Sequence, residues 1–223
     1  MQKGSNPRVK QTMLKGKKVF ATESLAPGKS VYGESLISLN GKEYREWVPF
    51  RSKIAAGLMN GLRMPELSMD SVVLYLGAAS GTTVSHISDI VSNGLIFAVE
   101  VSPHVTYSLI SLAEARGNIV PVLEDANKPE EYFNTVIASD FVFQDIAQKN
   151  QVEIFLKNCR LFLKQSGFAM ISIKARSIDI SKKPRRIFEE VRKELEQRFR
   201  EVKPCTLEPF QKDHCLFLCL GRE

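Results

Sequence analysis

From Ser71 onward the chain alternates apolar, strand-like runs with stretches of helical spacing, and it ends in two strands with no helix between them. Val72–Leu76 precedes helical spacing over 82–91, Leu95–Val99 precedes 103–115, and 119–123 precedes a short helix near 129–134. The run at 141–143 leads into a helix over 148–163, and the run at 168–173 into a long amphipathic helix over 184–200. Continuously apolar strands joined through helices require a parallel sheet covered on both faces. The last two runs, 202–207 and 215–220, are separated by too little chain for a crossover, so they pair antiparallel.

Six parallel strands closed by one antiparallel strand predict an α/β fold, a Rossmann-like class I methyltransferase sheet over 61–223. Residues 1–60 differ in texture, with Pro27-Gly28, Tyr32-Gly33 and Asn40-Gly41 punctuating short strand-like pieces at 19–21, 31–39 and 43–47. Asn40-Gly41 between two such pieces predicts a hairpin, and the whole reads as a small N-terminal antiparallel β subdomain. Ile54, Ala55, Leu58 and Met59 give 51–62 helical spacing, a helix suited to dock that unit on the larger one.

Charge divides along the same line. Residues 1–69 hold 12 Lys+Arg against 5 Asp+Glu, whereas residues 70–223 hold 19 against 20, so the whole positive excess lies in the first third. Such asymmetry suits a polyanionic partner. No apolar run reaches the ~20 residues that span a bilayer, and residues 1–18 contain no apolar segment of signal-peptide type, so no membrane or export role is expected. Cys159, Cys205, Cys215 and Cys219 form no Cys-x-x-Cys pair and read as apolar core residues, with no metal site expected.

Ligands of open α/β sheets lie outside the carboxyl ends of the strands. After the first strand comes Gly77-Ala78-Ala79-Ser80-Gly81-Thr82-Thr83, a small-residue turn that lets a ligand approach backbone N–H groups. It lacks the lysine of a phosphate loop and the G-x-G-x-x-G spacing of dinucleotide sites. Glu100 follows the second strand, suited to a ribose diol, and Asp125 with Ala126 follows the third, suited to an adenine amino group. Asp145 follows the fourth. Three carboxylates beside a glycine turn outline a pocket for an adenosine that bears a positive group, as S-adenosylmethionine does. Lys174 ends the fifth strand, and His214 opens the antiparallel one, so Asp145, Lys174 and His214 are expected at one rim.

Several stretches together resemble fibrillarin, the ribose 2′-O-methyltransferase family of box C/D ribonucleoproteins. They are Pro27-Gly28-Lys29-Ser30-Val31-Tyr32-Gly33-Glu34, Glu43-Tyr44-Arg45-Glu46-Trp47, Arg51-Ser52-Lys53, the segment from Leu74 to His86, Ile173-Lys174-Ala175-Arg176-Ser177-Ile178-Asp179, Leu207-Glu208-Pro209-Phe210 and Lys212-Asp213-His214. The resemblance runs from about Val19 to the end. It implies cofactor contacts at Thr82, Thr83, Glu100, Val101, Asp125 and Ala126, and through Asp145, Ile146, Ala147 and Gln148, to which the small-residue turn adds Gly77, Ala78 and Gly81. It implies catalytic roles for Asp145, Lys174 and His214. Three positions depart from the family pattern: Ser38 falls where a lysine is expected, Val101 where an aromatic is usual, and Lys149 where a proline is usual.

The resemblance implies guide-RNA-directed 2′-O-methylation of rRNA, and of tRNA, with a Nop-family scaffold protein, a box C/D guide RNA, the target RNA and a kink-turn-binding protein as partners. Eukaryotic members carry a glycine-arginine-rich extension, so this chain is closer to archaeal forms, which act in the cytoplasm rather than the nucleolus. Lys174 is expected to stabilise the developing alkoxide while held by Asp145, and His214 to position the substrate. Methylation of another substrate, including protein glutamine, a non-catalytic assembly subunit and, last, a dehydrogenase remain the alternatives.

Overall fold

The computed structural model describes residues 8–222, which form two sheets. Four antiparallel strands make the first: β1 (Val9–Leu14), β2 (Lys17–Glu23), β3 (Leu36–Leu39) and β4 (Lys42–Glu46), in the order β1-β2-β4-β3. The Asn40-Gly41 hairpin joins β3 to β4 as expected, with Leu39 opposite Lys42. Two expectations need correction here. Val19–Ala21 is the centre of a longer strand that pairs with β1 across a Lys15-Gly16 turn, both residues at positive φ. The run over 31–35 is not strand, because the N–H groups of Val31 and Tyr32 both donate to the Glu34 carboxylate and fold the segment into a loop.

Helix α1 (Lys53–Met59) leads to the second sheet. Its strands are β5 (Val72–Leu76), β6 (Leu95–Val99), β7 (Ile119–Val122), β8 (Ser139–Gln144), β9 (Leu163–Lys174), β10 (Phe199–Thr206) and β11 (His214–Arg222). Their order is β10-β11-β9-β8-β5-β6-β7. The pairs among β5 to β9 are parallel, and β11 runs antiparallel to both β9 and β10. Six strands therefore point one way and β11 alone opposes them, as the sequence pattern predicts. The crossover helices are α2 (Thr82–Ile90), α3 (Pro103–Arg116), α4 (Gln151–Phe162), the short α5 (Ala175–Ile178) and α6 (Pro184–Leu195). The helix expected near 129–134 is a single 3-10 turn, Pro129–Tyr132, and α6 stops before the expected residue 200.

Alternate residues of each strand feed opposite faces. Leu74 and Leu76 join one core with Phe155 of α4 and Ile187 of α6, whereas Val73 and Tyr75 join a second core with Ile87 of α2, Leu109 of α3 and Ile54 of α1. Trp47 belongs to the second core, so the N-terminal sheet shares apolar packing with the large one. Cys159, Cys215 and Cys219 are buried, and Cys205 is half-buried. Burial pushes the Cys215 thiol up to about 12. No helix among the described residues is long and apolar enough to cross a membrane.

The two sheets are joined through α2, whose residues from Thr83 to Ile90 are all buried. Its Ser85, His86 and Asp89 side chains bond to the N-terminal sheet. Arg45, fully buried, donates from Nε to Glu34 at 2.6 Å and from Nη1 to Asp89 at 2.8 Å. Burial opposes ionisation of Glu34, but the Tyr32 and Val31 amides and Arg45 outweigh it and hold its carboxyl below the usual range. Asp89 also accepts from Arg116 at 2.6 Å and from the Thr22 hydroxyl at 2.7 Å. His86 bridges Thr22 and Tyr32 and stacks on Trp47 with centroids 5.1 Å apart. Burial, reinforced by Arg45 and Arg116, keeps its imidazole neutral.

Removing Asp89 takes from buried Arg116 its carboxylate partner and from buried Arg45 one of two. Asp89→Ala is expected to lower stability by about 3–5 kcal/mol in urea unfolding. Glu131→Ala, which breaks only the exposed pair with Lys128, is expected to change it by less than about 1 kcal/mol.

Candidate active site

The chain leaves β5 towards β6 and β7 on one side and returns to β8 on the other, so the carboxyl ends of β5 and β8 flank a topological switch point. The loops that follow them touch. Gly77 has φ +80°, and a Cβ there would stand 2.6 Å from the Asp145 carbonyl oxygen and 2.9 Å from Ile146 Cγ1. Only glycine fits both constraints. The N–H groups of Gly77 and Ala78 donate to Val99 O at 2.9 and 3.0 Å, and that of Asp145 to Leu76 O at 3.0 Å. Gly81, also left-handed, starts α2 where any side chain would run into Leu112.

A cleft of about 310 Å³ opens at this point. Of the residues expected to meet the cofactor, Gly77, Glu100, Val101, Asp125 and Ala126 line it, followed by the run from Asp145 to Gln148. Ala79, Val99 and Glu124 join them, which sequence reasoning missed. Glu124 directly precedes Asp125 at the same strand end, the signal that would have found it. Glu100 is fixed by two backbone donors, Ala79 N at 2.8 Å and Ser102 N at 2.9 Å. Its remaining lone pairs stay free to accept. Asp125 is fixed by Asn127 N at 2.9 Å, and Val101 lies 59% exposed at the mouth.

Ala78, Gly81, Thr82 and Thr83 do not line this cleft. Thr82 faces a separate cavity of about 330 Å³ that also borders Lys29 and Arg116. Thr83 is buried, and its hydroxyl donates to Ser52 Oγ at 3.1 Å. Tyr75 bonds to Thr83 from below; burial first, and the Asp145 charge second, push its phenol far up, so it stays neutral.

At one end of the cleft the ionisable groups gather. Lys174 ends β9 and His214 opens β11 directly opposite it, while Asp145 follows the neighbouring β8. The partner of Asp145 is Lys53, whose Nζ lies 2.9 Å from Oδ2, with both side chains 24% exposed. Sequence reasoning missed Lys53. The expected family lysine was sought at Ser38, but Ser38 is an exposed residue of edge strand β3, opposite Glu43. The expectation that Asp145 holds Lys174 is corrected likewise, since its ion pair is with Lys53.

His214 registers all three neighbours. Burial lowers its pKa most, Lys53 and Lys174 lower it further, and the Lys212 carbonyl and Asp145 partly offset them. Nδ1 lies 2.7 Å from the Lys212 carbonyl oxygen, which can only accept. The proton therefore sits on Nδ1, and Nε2 is left as an acceptor.

Local structure fixes these side chains. Ser52 caps α1 by accepting from Ala55 N at 3.4 Å, which sets Lys53 on the first turn. Asn60, at the other end of α1, donates to the carbonyls of Thr206 and Glu208 at 2.7 and 2.8 Å, tying the helix to the loop before His214. Beneath the loop over 145–150, buried Gln144 donates to Gln151 O at 2.6 Å and Gln151 to Gln148 O at 2.7 Å. Lys149, which replaces a proline of the family pattern, is exposed in that loop and leaves these bonds intact.

A larger cavity, about 430 Å³, lies at the opposite sheet edge, between α4 and the ends of β10 and β11 marked by Phe199 and Arg222. None of the strand-end carboxylates reaches it.

A family model for fibrillarin matches residues 7–223. A protein of Thermococcus onnurineus named fibrillarin-like rRNA/tRNA 2′-O-methyltransferase is 50% identical over 204 residues, 91% of this chain and 90% of the relative. Fibrillarin solved in a fibrillarin/Nop5p complex matches with TM-score 0.87 and 44% identity, covering 96% of this chain and 97% of that one. Aeropyrum pernix fibrillarin, solved with natively bound S-adenosyl-L-methionine, matches with TM-score 0.82 and 41% identity, covering 92% and 90%. A sheet of this topology, a cleft at its switch point and likeness along nearly the whole chain place this protein in the fibrillarin family.

Proposed function

We propose that this chain methylates ribose 2′-hydroxyls of rRNA, and of tRNA, with S-adenosylmethionine as donor, as the catalytic subunit of a box C/D ribonucleoprotein. Its partners in this reading are a Nop-family scaffold protein, a guide RNA that selects the target, and a kink-turn-binding protein. The archaeal cytoplasm is its compartment. The observation that carries the proposal is the gathering of Lys53, Asp145, Lys174 and His214 at one end of an acid-lined cleft.

The cleft suits the cofactor. Glu100, pinned by two amides, retains acceptor capacity for a ribose diol. Glu124, Asp125 and Asp145 add negative charge for a ligand that carries an ammonium and a sulfonium. Bound S-adenosylmethionine supplies an electrophilic methyl group.

The residues of this chain supply the rest. A ribose hydroxyl is a weak nucleophile, so it must be oriented and its developing negative charge met. His214, neutral and with Nε2 free to accept, takes the hydrogen bond and then the proton of the 2′-hydroxyl. Lys174 faces the developing oxyanion. Lys53 neutralises Asp145, so the carboxylate does not repel that oxyanion. Orientation of this kind contributes up to ~7–11 kcal/mol in the best cases, and acid–base assistance ~10²–10⁴-fold. Under a division near residue 60, Lys53 comes from the N-terminal unit and the other three from the sheet unit. Neither part holds a complete site.

Three outcomes test the reading. Lys174→Ala is expected to lower single-turnover methylation in a reconstituted particle by about 10²-fold or more while calorimetric cofactor affinity stays within a few-fold. Gly77→Ala forces the two contacting loops apart and is expected to weaken cofactor binding by about tenfold or more, in line with overpacking of about 1–3 kcal/mol. The working form of His214 is neutral, and its pKa is lowered. The rate is therefore expected to hold below pH ~6.5, where an unperturbed histidine protonates, and to fall only as pH drops through the depressed value. His214→Gln, assayed across the same pH series, is expected to be slow and to lack that acid limb.

A further inference from the structure

Phe50 is 64% exposed, yet its ring is held in place. It stands three residues before Lys53, and its ring packs edge-on against Phe210, with centroids 5.2 Å apart and planes at 76°. Phe210 in turn stands four residues before His214. Gln211 Nε2 donates to the Phe50 carbonyl at 2.9 Å, and the N–H groups of Phe210 and Gln211 both donate to Leu207 O at 2.9 Å. The loop that carries Phe210 is thus folded on itself and bonded to the segment that carries Phe50.

Cations outnumber acids in the two segments that carry these rings. Arg51, Lys53 and Lys212 neighbour the two phenylalanines in sequence. Of the charges in the two segments, Asp213 is paired with Arg176 at 3.1 Å and Lys53 with Asp145 at 2.9 Å, while Glu208 accepts from the Asp213 amide at 3.4 Å. An aromatic face among cations beside a sugar-modifying centre has the composition of a stacking platform for single nucleobases.

We propose that Phe50, backed by Phe210, is a base-stacking subsite that takes the face of the RNA nucleobase next to the reacting ribose. The inference rests on the RNA methylation proposed above. Stacking of one base fixes the strand in register, so that the adjoining 2′-oxygen meets Lys174 and His214. The exposed Phe50 ring then becomes the buried face of the substrate complex.

The test uses the reconstituted particle with a guide and its matched target RNA, comparing Phe50→Ala, Phe50→Leu and Phe50→Trp with the unaltered chain. Phe50→Ala is expected to raise the KM for target RNA about 5- to 150-fold, as loss of one stacked base predicts, with cofactor affinity unchanged. Phe50→Trp, which keeps a flat π face, is expected to stay near the unaltered value. Phe50→Leu, which keeps apolar area alone, is expected to behave like the alanine variant. An unchanged KM for Phe50→Ala overturns the subsite and leaves the methyltransferase reading standing. So does full recovery by leucine, or a loss confined to binding of purified scaffold protein, which would make the ring a protein contact. An unaltered particle that transfers no methyl group overturns the functional reading, and the subsite with it.

Discussion

A carboxylate near the C-terminal end of a helix sits against the negative pole of the helix dipole, and burial makes its charge costlier still. Asp89 occupies that position on α2 and is fully buried. It is stable there because Arg45 and Arg116 reach it from opposite parts of the chain, one from β4 and one from the last turn of α3. Arg116 is itself well placed, since a cation suits the C-terminal end of its own helix. Replacing such a network by apolar residues can leave stability unchanged, but removing one member cannot. Its contribution is therefore orientation. Arg45 is drawn to one point on α2, and with it the N-terminal sheet and the helix that follows.

That orientation reaches the chemistry through a short path. β4 leads by way of Trp47 and Phe50 to Ser52, whose hydroxyl accepts from Thr83 on the first turn of α2 and caps α1. Lys53 is the next residue. The same helix thus holds the N-terminal sheet at one end through Asp89 and the α1 cap at the other through Thr83, while its own start is fixed by the glycine turn beside the cleft. A shift of α2 would move the Lys53–Asp145 pair and the cofactor cleft together. Thr83, expected to touch the cofactor, is bonded here to the cap residue that precedes Lys53.

What the sequence made legible was whatever follows from period and strand direction. Apolar strands in a parallel sheet have no polar face to obscure them, so β5, β6 and the strand cores of β8 to β11 could be read directly. The residues just past their ends, Glu100, Asp125, Asp145 and Lys174, followed from the rule that ligands sit there. His214 followed from the single reversed strand. Strand β1 was missed because its burial alternates weakly at the molecular surface, although Lys15-Gly16 marked its turn. Lys53 was missed for a different reason. It lies on a helix that precedes the second sheet, and no periodicity places that helix beside β8; only the tertiary contacts of Ser52 and Asn60 do so. The bond from Thr83 to Ser52 was not legible either, because a hydroxyl at a helix start serves a ligand or a neighbouring cap equally well and only the tertiary packing shows the cap.

The charges around the centre are sorted by ligand. The cleft walls bring four carboxylates, from Glu100, Glu124, Asp125 and Asp145, toward a cofactor that is cationic. At the adjoining rim the order reverses: two ammonium groups and a neutral imidazole gather near one carboxylate, which is paired with Lys53. Asp145 is the boundary between the two fields. Paired with Lys53, it presents little net charge to the incoming RNA, and its oxygens still close the acidic side of the cleft. In the proposed reaction, Lys174 then carries the net positive charge of the rim, where the phosphates of the substrate and the oxyanion of the transition state both need it. A neutral His214 is part of the same balance, because a third cation at this spacing would hold the RNA more tightly before reaction as well as during it, and only the difference between the two lowers the barrier.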